Sequence, residues 1–360
     1  MSGETYPLNL PQPYPFEQWW VAAYSGEVGR ELTQRKILDR PIVMYRTMSG
    51  EPVALAGLCP HRLYPLVKGH LEGDTLQCGY HGFTYDQTGR CVHVPSQEQV
   101  PANFSVRRYP LLERAGLIWI WTGTEAQALP SLPLPELEFI GLGAPGWTVE
   151  QHPVATVRAR YQLLIDNLLD LSHISFVHST SIPGGGAVVH LPCEISETET
   201  SLLVQRVGRH LPGNPHYRFL FPSHEGAIDQ CFDTEFFGPH LIRTGGAIYA
   251  SKDAGMGDSR LLGTTNFLHA ITPESPTSVH YFVMTARNFR IDDAAIGHAN
   301  LKMGTMIQPE DIAVIESIES NVEQFASTRR ELSVATDDGA IRARRRLATQ
   351  IRAEIATVRS

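Results

Sequence analysis

Cys59-Pro60-His61, sixteen intervening residues, then Cys78-Gly79-Tyr80-His81: the reading of this stretch decides the fold. Each of its two short loops offers one sulfur and one imidazole, and together they supply four metal donors. Zinc sites more often present Cys-x-x-Cys pairs or a helix-borne His pair. A [2Fe–2S] cluster with two Cys on one iron and two His on the other uses this donor set. Imidazole is neutral where thiolate is anionic, so the exchange raises the reduction potential by several hundred millivolts over an all-Cys cluster. Such a centre accepts electrons readily and passes them on. Structural zinc is the competing reading of the same four residues.

The rest of the composition bounds the class. A chain of 360 residues has room for two domains, and its 42% hydrophobic content supplies a sizeable core. Lys and Arg number 30 against 38 Asp and Glu, a net charge of −8 that argues against binding nucleic acid or other polyanions. No apolar run approaches the roughly 20 residues of a membrane span. Met1 to Pro15 is polar and Pro-rich, with no basic start or apolar stretch, unlike a secretory leader. Of five Cys, those outside the cluster motif (Cys91, Cys193, Cys231) are odd in number. That does not read as a disulfide framework and suits a reducing cytoplasm.

Taken in order, apolar or aromatic runs at 18–24, 41–46 and 52–58 read as strands, the last delivering Cys59. Residues 75–78 deliver the second loop, 82–85 and 90–94 pair as a hairpin across Asp86 to Gly89, and 116–121 form a further strand. Residues 18–123 thus read as an all-β domain preceded by an N-terminal segment, 1–17. Residues 124–146, rich in Pro, Leu and Gly, read as a connector. Its Gly141-Leu142-Gly143-Ala144-Pro145-Gly146 satisfies GxGxxG formally but lacks the strand–helix context of a dinucleotide site, so it reads as a turn. Gly184-Gly185-Gly186 and Gly255-Met256-Gly257 read as loops. From Tyr161 to His178 the pattern is helical. Strand-like runs follow at 202–207, 227–236 and 279–285, then helices at 294–305, 310–325 and 340–358. In the last, Leu347, Ile351, Ile355 and Val358 share a stripe, with Arg342 to Arg346 as its solvated face.

Asp170, His173 and His178 lie in one helical stretch. A five-residue step turns about 140° on a regular helix, so the two His share a face only if the helix ends or bulges between them. Alone, they read as ordinary core or surface histidines. Downstream, Pro309 fits the first position of a helix, with Glu310 and Asp311 behind it. From Asp311 the helical steps reach Val314, Ile315, Ile318, Val322 and Phe325, an apolar stripe that points Asp311 inward. From Glu310 they reach Ala313, Val314, Ser317, Asn321 and Gln324, a mixed and more polar face. The plain alternative makes Asp311 a first-turn acid favoured by the helix dipole.

Three stretches carry a resemblance: Cys59-Pro60-His61-Arg62 with Cys78-Gly79-Tyr80-His81-Gly82; Asn167-Leu168-Leu169-Asp170-Leu171-Ser172-His173; and Glu310-Asp311-Ile312-Ala313-Val314-Ile315-Glu316. The chain resembles the oxygenase components of Rieske non-haem iron oxygenases, in the group of vanillate and dicamba O-demethylases and purine-alkaloid N-demethylases. The likeness is strong at these stretches, moderate from Ser333 to Glu354 and weak from Gly184 to Asn288. It implies an α+β protein: a Rieske [2Fe–2S] domain over 18–123, with Cys59, His61, Cys78 and His81 as ligands, and a catalytic domain over 147–360 with an antiparallel sheet and flanking helices. It implies mononuclear Fe(II) on His173, His178 and Asp311, with Asp170 and Asn167 as further catalytic-site residues. The Asp170 carboxylate would accept the free N–H of His173 and bridge to His81 of a neighbouring subunit in a homotrimer; the plainer alternative has it fix the His173 ring alone. The implied reaction uses O₂ and external electrons to hydroxylate an aromatic or heteroaromatic substrate. The first reading is O- or N-demethylation with release of formaldehyde; ring or alkyl hydroxylation is the second. A cluster-only electron carrier would not need the long region beyond residue 130. The chain shows no credible flavin or NAD site and no second Cys set, so electrons would come from NAD(P)H through a separate flavin- or ferredoxin-type reductase.

Overall fold

β-branched and aromatic residues punctuated by Gly and Asp turns build the first half of the protein from strands. The computed structural model describes residues 12–124, 134, 136–182, 185–251, 260–325 and 331–359. Residues 1–11 of the N-terminal segment, residues 125–133 and 135 of the connector, Gly184 and the Gly255-Met256-Gly257 loop lie outside the described residues. Two compact units are present: Tyr14–Leu134 with Thr272–Pro276, and Met1–Pro13 with Pro135–Ile271 and Thr277–Ser360.

The cluster unit holds β1 (Trp19–Tyr24), β2 (Thr33–Ile37), β3 (Arg40–Arg46), β4 (Pro52–Ala56), β5 (His70–Glu72), β6 (Thr75–Gln77), β7 (Thr84–Tyr85), β8 (Cys91–His93), β9 (Arg108–Tyr109), β10 (Leu111–Arg114) and β11 (Leu117–Trp121). They form three sheets in the orders β1-β11-β10, β2-β3-β4-β9 and β5-β6-β7-β8. Val43, Tyr45, Leu55, Leu66, Leu76 and Tyr85 pack into one core with Cys59 and Cys78. The expected hairpin is β7–β8. Its turn closes because the Asp86 carboxylate accepts the amides of Thr88 and Arg90, and Gly89 takes φ +83°.

The second unit holds β12 (Thr148–Gln151), β13 (Ala155–Val157), β14 (Cys193–Glu197), β15 (Leu202–Leu211), β16 (Ile228–Gly238), β17 (Leu241–Ala250), β18 (Arg260–Ser275) and β19 (Ser278–Arg287). The sheet order is β12-β19-β18-β17-β16-β15-β14, with β13 also paired to β19. From β14 to β18 every successive pairing is antiparallel. Buried and half-buried residues alternate along β15, as one covered face requires. The strands at 202, 228 and 279 match the sequence pattern, whereas β17 and β18 do not announce themselves. The adjacent glycines 245 and 246 interrupt β17, and a Cβ on Gly245 would lie 2.3 Å from the Thr265 carbonyl oxygen.

Five α-helices are described: α1 (Tyr161–Leu169), α2 (Ile174–Val177), α3 (Pro215–Leu220), α4 (Ala294–Phe325) and α5 (Asp338–Arg359). Three sequence expectations need correction. The helices expected at 294–305 and 310–325 are one helix, and Pro309 lies inside it rather than at a first turn. Its missing N–H leaves the Thr305 carbonyl without a helical partner. The buried face of α4 carries Ile296, Asn300, Ile315 and Glu319, while Val314, Ile318 and Phe325 are exposed. Finally, the basic run of α5 is not simply solvated: Arg344 is buried and pairs with Asp166 of α1 at 2.6 Å and with Glu331 at 2.7 Å. The formal GxGxxG is a turn, as expected: Gly141 caps a 3-10 helix at φ +96°, and the strand β12 follows.

Candidate active site

The cluster loops leave the ends of β4 and β6. Cys59 and Cys78 are buried, and the Tyr85 hydroxyl lies 3.1 Å from Cys59 Sγ. Burial, then the Cys59 sulfur, pushes the Tyr85 hydroxyl above its usual range, so it stays protonated. Burial also pushes the Cys78 thiol up, against the amides of Tyr80 and His81, which favour the thiolate. The His61 and His81 rings stand 4.6 Å apart, and His61 stacks on Phe83 at 4.7 Å. His61 Nδ1 is buried with no hydrogen-bond partner. Two buried sulfurs and an orphaned ring nitrogen fit a cluster. Among the described residues, this foursome is not a group of donors within 4.8 Å of one another. A single tetrahedral zinc would draw its ligands closer, to roughly 4 Å or less.

His173, His178 and Asp311 do form such a group, their donor atoms lying within 4.8 Å of one another. The local sequence explains how. Helix α1 stops at Asp170, whose carboxylate accepts the Ser172 amide and the Ser172 hydroxyl, both at 2.9 Å. A single 3-10 turn, Leu171–His173, and the short α2 follow. Helix α2 ends at His178, whose backbone (φ −105°, ψ 23°) leaves the helical path, and two His five residues apart come into contact, ring centroids 5.3 Å apart. His173 Nδ1 donates to the Asp170 carbonyl at 2.6 Å, and His178 Nδ1 donates to Glu310 Oε2 at 2.7 Å. Since both partners only accept, each Nε2 is left with its lone pair. The Nε2 atoms of His178 and His173 lie 3.0 and 3.5 Å from Asp311 Oδ1. Burial pushes the His178 imidazole down, but hydrogen bonds and charge from Asp311 and Glu310 outweigh it and hold it above its ordinary value. Two carboxylates that favour a cationic imidazole here also suit a bound cation.

Asn167 Nδ2 donates to Asp311 Oδ1 at 3.2 Å, which places this residue at the centre. The expected link from the Asp170 carboxylate to His173 is absent: the backbone carbonyl of Asp170 makes that contact. Its carboxylate turns instead to Ser172 and, at 3.4 Å, to the buried Arg206. The sequence reading weighed Glu310 only against Asp311 and did not foresee its contacts. Glu310 accepts from both His178 and the Ser181 hydroxyl, and its adjacency to an inward Asp was the one signal available.

Two ion pairs hold the helices in place. Arg160, capping α1, gives its amide, Nε and Nη2 to the Glu319 carboxylate of α4 at 3.0, 2.7 and 2.6 Å. Arg344 ties α1 to α5 through Asp166. The triad faces a cavity of about 220 Å³ walled largely by apolar side chains, among them Leu168, Phe232, Phe267, Val283 and Ile307.

Residues 18–110 match the Rieske [2Fe-2S] domain family, and residues 157–353 match the family described as vanillate O-demethylase oxygenase C-terminal domain. The chain belongs to the vanillate O-demethylase family of Rieske oxygenases. It is 32% identical over 324 residues to the putative toluene-4-sulfonate monooxygenase system iron-sulfur subunit of Comamonas testosteroni, covering 89% of this chain and 92% of that one. To the dicamba O-demethylase oxygenase component of Stenotrophomonas maltophilia it is 31% identical over 343 residues, covering 91% and 95%. The crystal structure of dicamba monooxygenase bound to 3,6-dichlorosalicylic acid superposes with a TM-score of 0.86 at 28% identity, over 95% of this chain and 98% of that one. This Rieske oxygenase therefore has an N-terminal all-β cluster domain followed by an α+β catalytic domain, and it uses a [2Fe–2S] cluster and non-haem iron as a monooxygenase component. Among the described residues, no helix of this Rieske oxygenase is long and apolar enough to cross a membrane.

Proposed function

We propose that the protein oxidatively demethylates a flat aromatic or heteroaromatic substrate, with His173, His178 and Asp311 holding Fe(II) and Cys59, His61, Cys78 and His81 holding the cluster. The observation that carries this reading is the two-His, one-carboxylate group facing a largely apolar cavity. When bound, Fe(II) supplies O₂ activation, using electrons delivered through the cluster. The chain's own residues do the rest. Glu310 and the Asp170 carbonyl orient the two imidazoles, and Asn167 orients the Asp311 carboxylate. Phe232 and Phe267 offer flat apolar surface for a ring, and the apolar walls exclude water. In the net reaction a methoxy or N-methyl carbon, O₂, two electrons and two protons give a hydroxymethyl group and water. The hydroxymethyl group then breaks its C–O or C–N bond to leave as formaldehyde.

One relative is named an O-demethylase and another a toluene-4-sulfonate monooxygenase, so ring or alkyl hydroxylation without demethylation is the second reading. Electrons would come from NAD(P)H through a separate flavin- or ferredoxin-type reductase in the cytoplasm. The working assembly would be a homotrimer, in which Asp170 lies between His173 and His81 of a neighbouring subunit. The Asp170 side chain, 21% exposed within one chain, supports that role. Incubating methoxy- and N-methyl-arenes with a surrogate reductase and measuring formaldehyde tests the reaction. A benzylic or ring alcohol without formaldehyde would favour the second reading.

A further inference from the structure

Side chains alternate between the faces of a strand, so Ile228, Gln230, Phe232 and Thr234 of β16 share one face. Gln230 and Phe232 line the cavity, and the Thr234 hydroxyl donates to the Leu168 carbonyl of α1 at 2.9 Å. Thr234 thus marks the end of the strand beside the metal-bearing segment. Gln230 stands four residues away from that contact, about 13 Å along the strand. Its neighbour Ile228 packs in one apolar cluster with Tyr217, Ile248 and Ile296. Ile296 lies on α4 fifteen residues before Asp311, about 22 Å along the helix. Both routes place Gln230 toward the end of the cavity remote from the metal group.

Tyr217 of α3 is buried, and its hydroxyl donates to Gln230 Oε1. Burial pushes that hydroxyl up to about 12, so at neutral pH it keeps the proton it donates. Tyr217 is itself fixed, since its amide donates to the capping Asn214 side chain at 3.1 Å. With the carboxamide oxygen taken by the phenol, the nitrogen keeps both of its hydrogens to donate. Gln230 is half-buried, and its Nε2 is neither hydrogen-bonded among the described residues nor sealed inside the protein. An oriented N–H₂ in a largely apolar wall is the kind of group that fixes how a ligand lies. We infer that Gln230, held by Tyr217, is a specificity-determining residue that donates to an acceptor oxygen at the end of the substrate remote from the metal group. Carbonyl and carboxylate oxygens share that chemistry. This inference deepens the proposed function and rests on the cavity's being the substrate site.

Three probes test this on the iron-loaded protein, with Kd measured by calorimetry: 4-methoxyacetophenone, 4-methoxybenzoate and 4-isopropylanisole, whose branched group keeps the acetyl shape without its oxygen. One neutral hydrogen bond corresponds to about fivefold in Kd and one to a charged acceptor to about tenfold or more. At least one oxygen-bearing probe should therefore bind more tightly than the isopropyl probe by that factor. In Gln230→Leu the advantage should fall to within about twofold, while the isopropyl probe keeps its Kd. A loss confined to the ketone assigns the subsite to neutral acceptors, a loss confined to the benzoate to anionic ones, and a loss in both to either. Tyr217→Phe, which frees the amide to turn, should shrink the same advantage. Equal binding of all three probes overturns the inference, as does an advantage that Gln230→Leu leaves intact. Should Gln230→Leu not fold, an undiminished advantage in Tyr217→Phe overturns it alone. Formaldehyde release is scored separately: demethylation without an acceptor preference sinks the subsite alone, and the preference without formaldehyde sinks the demethylase reading alone.

Discussion

Glu319 is four-percent exposed, and Arg160 directs three hydrogen bonds to its carboxylate. Glu319→Ala removes the anion and leaves a largely buried guanidinium, 15% exposed, without its main counterion. Breaking a buried pair by deleting one member costs about 3–5 kcal/mol. For units of this size each kcal/mol moves Tm by about 2–4 °C, which puts the expected drop at about 6–20 °C. The described α-helices all belong to the catalytic unit, so urea unfolding followed by circular dichroism at 222 nm reads the effect there. The double substitution Arg160→Met with Glu319→Met should recover most of the loss, since an apolar pair of similar volume replaces the charges. The pair also joins the histidine-bearing segment to the Asp311 helix, so Glu319→Ala should bind mononuclear iron more weakly while keeping the cluster spectrum. A loss below about 1 kcal/mol, or a double variant no better than the single one, would refute the reasoning.

Glu310→Ala should weaken mononuclear iron about tenfold, the low end for a partner that orients a ligating His because the side chain is one-third exposed; chelator competition reads this, and unchanged affinity would remove Glu310 from the site. Stability should fall on acidification below pH 6.5, because burial lowers His240 to about 4 and His269 to about 3. Between those values the unfolded chain binds protons that the folded chain refuses, so the stability present above pH 6.5 is lost as pH falls, at about 1.4 kcal/mol per pH unit for each His. A flat urea midpoint from pH 6.5 to 4.5 would contradict that. Asp170→Asn should fold, keep its red colour and yet barely turn over; near-normal single-turnover yield would remove Asp170 from the electron path.

Chemistry was more legible in the sequence than packing. The cluster loops are local, so Cys59, His61, Cys78 and His81 needed no tertiary knowledge. The five-residue step from His173 to His178 demanded a helix end, and the short α2, which stops at His178, supplies it. The case for Asp311 pointed to the residue now found beside both His, but through a stripe only partly buried: Ile315 is covered, while Val314, Ile318 and Phe325 are not. Periodicity shows which residues share a helix face; it does not show what that face meets. Pro309 misled for a related reason, since a helix held by neighbours on its buried side tolerates an interior proline that a local rule would place at its start. Arg344 was read as a solvated charge, and Glu310 was set behind Asp311 on a more polar face, because their partners, Asp166 and His178, lie more than 130 residues away. Asp170 kept its place near His173 but changed its contact, for a side chain's direction depends on competitors such as Ser172 and Arg206 that spacing does not reveal.

The central claim is a cluster plus a separate iron held by His173, His178 and Asp311, and metal analysis of the purified protein and its Asp311→Ala variant tests it most directly. The account predicts about three irons per wild-type chain, two in the cluster and one mononuclear, and about two in the variant with the Rieske spectrum intact. Zinc in place of iron, or an iron content that Asp311→Ala leaves unchanged, would contradict it.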